Sequence, residues 1–358
     1  MMNLRLSSVL FRQLFSVYVL IIAMSSTLSY SECEFEAIFN FGDSNSDTGG
    51  FWAAFPAQSG PFGATYFKKP AGRASDGRLT VDFLAQGLGF PYLSPYLQSI
   101  GSNFKHGANF ATLASTVLLP NTSLFVTGAS MLPSPDVFGT SIYTLYIGQN
   151  DFTSNLAAIG ISGVKQYLPQ VVSQIAWSIK ELHALGGRTI LVLNLAPVGC
   201  YPALLAGHLH NSSDIDTFGC LISYNNAVAD YNTMLKQALI ETRNTLLNAS
   251  VVYIDMYSLL LELFQHPASH GFKYGTKACC GYGGGAYNFD SQVYCGNTKV
   301  INGSKITASA CEDPYNYVSW DGIHATEAAN KIAAMAILNG SYSDPPFSFH
   351  HCRVHPID

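Results

Sequence analysis

FEAIFNF, residues 35–41, runs straight into GDSNSDTGG, residues 42–50. The first stretch is short, apolar and rich in aromatics, as a buried strand is. The second is a glycine-flanked turn with a serine near its start, and helical sequence can follow such a turn. A strand ending in such a turn exposes a hydroxyl and leaves backbone N–H groups unpaired. Taken alone, the turn is equally at home as an ordinary Gly/Asp/Ser connection.

Outward from this point, strand-like and helix-like segments alternate. Val81–Leu88 reads as a helix, and Ile142–Ile147 (IYTLYI) as a strand. Val164–Leu185 has helical spacing and stops at Gly186-Gly187. Thr189–Leu195 (TILVLNL) is a β-branched buried-strand run, Leu221–Leu247 a helix, and Val251–Asp255 a strand. Thr326–Leu338 is a helix capped by its threonine, with an early glutamate. Such alternation predicts an α/β fold of parallel strands with crossover helices on both faces. Long loops are expected at 50–80 and 265–320, the latter rich in Gly, Cys, Tyr and Asn.

Composition and leader narrow the setting. Charged residues make up 11% of the 358, against about 25% in an average domain. With 18 basic and 23 acidic side chains, no cationic excess exists to neutralise phosphates, which argues against a nucleic-acid partner. Residues 1–31 read as a signal peptide: Arg5 and Arg12, an apolar core over Phe15–Met24, and a small-x-small site at Ser29-Tyr30-Ser31. The remaining chain, 32–358, is expected to be one domain with no stable membrane insertion, and to be secreted to the cell wall or apoplast, or sent to a vacuole. Five N-x-S/T tripeptides, at Asn121, Asn211, Asn248, Asn302 and Asn339, are glycosylation candidates. All eight cysteines (33, 200, 220, 279, 280, 295, 311 and 352) follow the cleavage site, which suggests disulfides, with Cys200–Cys220 the natural local pair.

In open parallel sheets the site lies at the carboxyl ends of the strands. After the first strand comes Ser44 in its turn. His106-Gly107-Ala108-Asn109-Phe110-Ala111 ends a weaker strand, and Gly148-Gln149-Asn150-Asp151 follows IYTLYI. Late in the chain stands Trp320-Asp321-Gly322-Ile323-His324. An aspartate three residues before a histidine can fix its tautomer and stabilise the imidazolium, freeing the other ring nitrogen to take a hydroxyl proton. Gly107 and Asn150 can offer a backbone and an amide N–H to an oxyanion. Each block is weak singly; their joint occurrence in this order is strong.

These blocks resemble those of the GDSL esterase/lipases, or SGNH hydrolases, and most closely the secreted plant branch with early-nodulin-like, fucosidase-like and acetylesterase members. Also similar are Ala196-Pro197-Val198-Gly199-Cys200-Tyr201-Pro202, Cys279-Cys280-Gly281 and Thr326-Glu327-Ala328-Ala329-Asn330. The resemblance implies a three-layer, flavodoxin-like α/β/α sandwich on a five-stranded parallel sheet, with no cofactor. It makes Ser44 the nucleophile, His324 the base and Asp321 its partner. The Ser44 N–H, the Gly107 N–H and the Asn150 side chain become the oxyanion donors. Two features depart from the family's pattern. Thr112-Leu113-Ala114-Ser115-Thr116 stands where a Gly- or Ala-rich continuation is common. The Gly107–Asn150 interval is short, with a helical segment missing where residues 127–131 run into 132–136.

The function expected is a secreted serine esterase or lipase acting on small-molecule or carbohydrate-linked esters, short acyl chains such as acetyl preferred. Transfer of the same acyl group to an alcohol stays open. So does a catalytically impaired cell-wall or carbohydrate-binding protein, suggested by the short interval and by Tyr282, Tyr287, Phe289 and Tyr294. His266 with His270, and His350, His351, Cys352 and His355, have spacings reminiscent of metal sites but fit better as solvated loop histidines. Gly281–Gly285 lacks the Lys-Ser/Thr of a phosphate loop.

Overall fold

The computed structural model describes residues 35–98, 101–118, 133–207, 211–349 and 352–358. Five parallel strands form the central sheet: β1 (Ala37–Gly42), β2 (Gly107–Asn109), β3 (Ser141–Tyr146), β4 (Thr189–Leu193) and β5 (Ser250–Ile254). Their order is β2-β1-β3-β4-β5, and Ser343–Asp344 adds a two-residue antiparallel edge beyond β5. The parallel sheet was expected; the edge strand was not. Two residues followed by a proline carry no period from which a strand could be read.

The helices are α1 (Gly50–Ala54), α2 (Thr80–Gly87), α3 (Gln149–Thr153), α4 (Leu156–Ala184), α5 (Pro202–Gly207), α6 (Ile222–Thr245), α7 (Met256–Gln265) and α8 (Glu327–Leu338). The step from β1 to β2 runs one way across the sheet, and those from β3 to β4 and β5 run the other. With right-handed crossovers, α2 therefore covers one face while α4 and α6 cover the opposite one. Accordingly α4 packs on α6, and α2 packs on α8. The strands are hydrophobic on both sides: Ile38, Phe39, Ile142, Leu145, Ile190, Leu191, Val251 and Val252 are all buried.

Helix α4 begins eight residues earlier than its apolar spacing suggested, because the chain kinks at Gly160 (φ 63°) and carries helix on both sides of it. The threonine cap of α8 is present, with the Thr326 side chain accepting from the Ala329 N–H. Cys200 pairs with Cys220, as expected, and Cys279 and Cys280 diverge to Cys311 and Cys295, stapling the loop after α7. Cys352 is also disulfide-bonded. Among the described residues no helix is long and apolar enough to cross a membrane. The leader, Asn121 and the shortened stretch at 127–132 lie outside the described residues, as do Cys33, His350 and His351. Asn211, Asn248, Asn302 and Asn339 are exposed.

Candidate active site

The direction of connection reverses between β1 and β3, and this switch point opens a crevice at their carboxyl ends. Ser44 sits there, two residues past β1, in a turn closed by the Ser46 N–H on the Asp43 carbonyl at 3.1 Å. The Asp43 carboxylate stiffens the turn by accepting from the Asn45 N–H and from the Asn45 amide, each at 2.9 Å. Asp47 then gathers the Gly49, Gly50 and Phe51 N–H groups at 2.7, 2.5 and 3.1 Å and starts α1.

His324 arrives from the opposite end of the chain. Its Nε2 lies 2.8 Å from the Ser44 Oγ, and its Nδ1 lies 2.7 Å from the Asp321 Oδ2. The other Asp321 oxygen accepts from the Ile323 and His324 N–H groups at 3.0 and 2.9 Å, so the carboxylate is locked into its own turn. Gly322 makes that turn possible: it holds φ 97°, a conformation costly for other residues. Burial opposes charge on the imidazole, but Asp321, aided by its hydrogen bond and by Asp43, outweighs it and raises the His324 pKa above its ordinary value. Burial likewise pushes Asp321 upward, and the imidazole with two backbone N–H groups overrides it to leave the carboxyl below its usual range. Ser44 and a local Asp321–His324 pair 280 residues away in sequence thus form one hydrogen-bonded line from hydroxyl to carboxylate.

The block after β3 ties the neighbouring loops together. Asn150 donates from its amide to the Ser115 carbonyl at 2.8 Å. Asp151 accepts from the Val117 and Leu118 N–H groups at 2.7 and 3.1 Å. The Gln149 Oε1 accepts from the Tyr201 hydroxyl at 2.9 Å and from the Asn45 amide at 3.3 Å. The disulfide-tied loop after β4 therefore reaches the serine turn through Tyr201.

Gly107 is a correction. It opens β2 opposite Ile38, at the amino end of the pair, whereas Ser44 lies beyond the carboxyl end. Four residues of strand, about 13 Å, separate Ile38 from Gly42. The Gly107 N–H is already donated to the Phe104 carbonyl at 3.0 Å. A glycine is needed there for packing: φ is +100°, and a Cβ would stand 1.8 Å from the Ile38 carbonyl oxygen. The residue of this block that serves the site is Asn109. Its amide donates to the Ser46 carbonyl and the Thr48 hydroxyl at 2.6 and 2.9 Å, and its oxygen accepts from Asn40 at 2.7 Å. Beyond it the chain crosses the end of β1, with the Thr112 N–H on the Gly42 carbonyl at 3.2 Å and the Leu113 N–H on Asp47 at 2.8 Å. Next comes Ala114, held at φ 66°. No acceptor among the described residues engages its N–H, nor that of Ser44. The sequence signal that could have found this loop is strand polarity: a donor must follow the strand rather than begin it.

His266 and His270 lie 4.0 and 3.3 Å from the Glu262 carboxylate on exposed surface. Among the described residues no three His, Cys, Asp or Glu side chains cluster as metal ligands would. His355 donates its backbone N–H to the Gly87 carbonyl and packs over Gly89.

Residues 38–337 match the model of the GDSL-like lipase/acylhydrolase family. A GDSL esterase/lipase of Arabidopsis thaliana is 63% identical, covering 94% of this chain and 96% of its own. Alpha-L-fucosidase 3 of the same plant is 40% identical, covering 90% and 95%. Among solved structures, a catalytic mutant of an acetylxylan esterase from Geobacillus stearothermophilus aligns over 85% of this chain and 93% of its own, with TM-score 0.41 and 14% identity. A family match over most of the chain, with relatives this similar along nearly their whole length, decides the assignment: the chain belongs to the GDSL-like lipases and acylhydrolases and is a carboxylic ester hydrolase of that class.

Proposed function

We propose that the protein is a secreted esterase that works through an acyl-enzyme on Ser44. The observation that carries this reading is the continuous line Ser44 Oγ–His324 Nε2–Asp321 at 2.8 and 2.7 Å. Ser44 attacks the ester carbonyl as its proton passes to the His324 Nε2. Asp321 stabilises the imidazolium and keeps Nδ1 protonated. The imidazolium then protonates the leaving alcohol, and neutral His324 next draws a proton from the water that releases the acid. The free Ser44 and Ala114 N–H groups, with the second amide N–H of Asn150, form the oxyanion hole in place of the set that included Gly107. Residues 32–358 act as one domain after the leader is removed, and the disulfides suit an oxidising compartment. Acetyl and other short esters are the preferred substrates.

A fluorophosphonate probe on the secreted protein, with the modified peptide located by mass spectrometry, tests the reading. Label should fall on Ser44 and be lost in His324→Ala. Folded protein that takes no label would overturn it and bring forward the alternative of a binding protein without a working nucleophile.

A further inference from the structure

An open groove of about 1310 Å³, measured out to solvent, lies beside the serine turn. Its floor is backbone: Gly49 and Gly72 lie so close that a Cβ on Gly72 would stand 2.5 Å from the Gly49 Cα. Its position follows from strand pairing. Pro95 bridges Asn109 in parallel, and the Tyr96 N–H donates to the Asn109 carbonyl at 2.8 Å. The chain then continues past the carboxyl end of β2 to Leu97 and Gln98, which form one wall. The groove therefore opens on the same end of the sheet as Ser44, on the β2 side.

The lining suits one kind of ligand. Trp52 is half-buried and backed by Phe51, whose ring meets it edge-on at 5.5 Å and in turn stacks on Phe55 at 4.3 Å. This makes a braced aromatic surface. Gln58 is fixed at both ends of its amide, donating to the Arg73 carbonyl and accepting from the Gly72 N–H, each at 2.8 Å. One donor and one acceptor site remain on it. The Gln98 amide oxygen lies 4.0 Å from where a Gly49 Cβ would be, over the floor. Lys69, at the exposed rim, is the one ionisable side chain among the lining residues.

We infer that this groove is a subsite for a neutral oligosaccharide, which stacks a sugar face on Trp52 and offers hydroxyls to Gln58 and Gln98 while its ester group reaches Ser44. An aromatic face with one fixed amide, a second amide beside it and almost no charge matches a ligand of many hydroxyls and apolar C–H faces. With open solvent left out the groove holds about 730 Å³, within the roughly 300–1,000 Å³ of a site for a drug-sized molecule, which is room for a short oligosaccharide. The inference deepens the esterase reading and rests on it for the ester, but not for the sugar.

The test compares wild type, Trp52→Ala and Gln98→Ala on 4-nitrophenyl acetate and on acetylated cello- and xylo-oligosaccharides of increasing length. In wild type kcat/KM should rise with chain length. In Trp52→Ala that rise should vanish through KM, by about tenfold on the longest substrates, with 4-nitrophenyl acetate unchanged. Gln98→Ala, an exposed polar change that folding tolerates, should show a smaller loss of the same kind. No dependence on length, or equal losses on the small and long esters, overturns the subsite. Tryptophan fluorescence with the deacetylated oligosaccharides separates the two readings. A protein inert to every ester yet quenched by the sugar in a Trp52-dependent way keeps the subsite and sinks the esterase. One that is inert and not quenched loses both.

Discussion

Two aspartates lie within electrostatic reach of His324, and burial has opposite outcomes for them. Asp321 accepts two backbone N–H bonds and faces the imidazole directly, so its carboxyl is held below the usual range despite desolvation. Asp43 is buried too, but only Asn45 donates to it, and desolvation pushes it up to about 6. The difference shows that burial alone does not decide the charge state; the facing imidazole first, and then the donors, decide it. Geometry points the same way: Asp321 stands 2.7 Å from the His324 Nδ1, where it can hold an imidazolium, whereas Asp43 acts on the ring only through space. The largest expected effect follows. Asp321→Asn should leave the fold intact and lower kcat on 4-nitrophenyl acetate by about 10³–10⁴, read by steady-state kinetics beside circular dichroism. A loss of tenfold or less would mean that the pairing is only structural.

Next in size is Asn150→Ala. If its amide serves the oxyanion, kcat should fall by about 10²–10³ with KM little changed. If it serves only the Ser115 carbonyl, the loss should appear as lower thermal stability instead.

Asp43→Asn attacks the comparison from the other side. Asp43 has a raised folded pKa, so between pH 4 and 6 (roughly the unfolded and folded values) the folded state holds the extra proton, and stability falls as pH rises through that window. The asparagine variant keeps the oxygen that accepts from Asn45 and removes the titration. It should be more stable than wild type above about pH 6, by roughly 2–3 kcal/mol, and equal to it below about pH 4, as urea melts at several pH values would show. Removing this negative charge should also lower the His324 pKa. The acid limb of the activity profile, where loss of the neutral base ends catalysis, then moves to lower pH.

Strand-end logic leads to most of the proposed site, because side chains suited to chemistry sit where apolar runs stop and polar turns begin. Ser44, Asn150, Asp321 and His324 each follow such a stop. Gly107 misleads because the motif's glycine begins β2, and the carboxyl end of that strand is Asn109, two residues further on. Asn109 was passed over for the related reason that its task is to hold the Ser46 carbonyl and the Thr48 hydroxyl, a partnership visible only once β1 and β2 are side by side. The kinked start of α4 hid behind Gly160, which reads as a stop in one dimension. The link from Tyr201 to Gln149 joins two strand ends that only the sheet order makes neighbours.

Ala114 is the sharpest instance, since no sequence signal marks an alanine for φ 66°. A non-glycine residue in that region costs about 1 kcal/mol or more, and its neighbours hold it there: Leu113 is bound to Asp47, and the Ser115 carbonyl accepts from Asn150. Ala114→Gly relieves the strain but adds freedom to the unfolded chain, worth about 0.4–1 kcal/mol in the opposite sense. The two nearly cancel, so urea stability should change by less than about 1 kcal/mol. The N–H is kept and its neighbours still pin it, so kcat should stay within about twofold, far below the effect of removing a donor. Ala114→Val keeps the same N–H but places a β-branched side chain at positive φ, and should be destabilised with slower Ser44 labelling. If the glycine variant instead loses activity tenfold or more, the rigidity of Ala114 rather than its N–H is what the site requires.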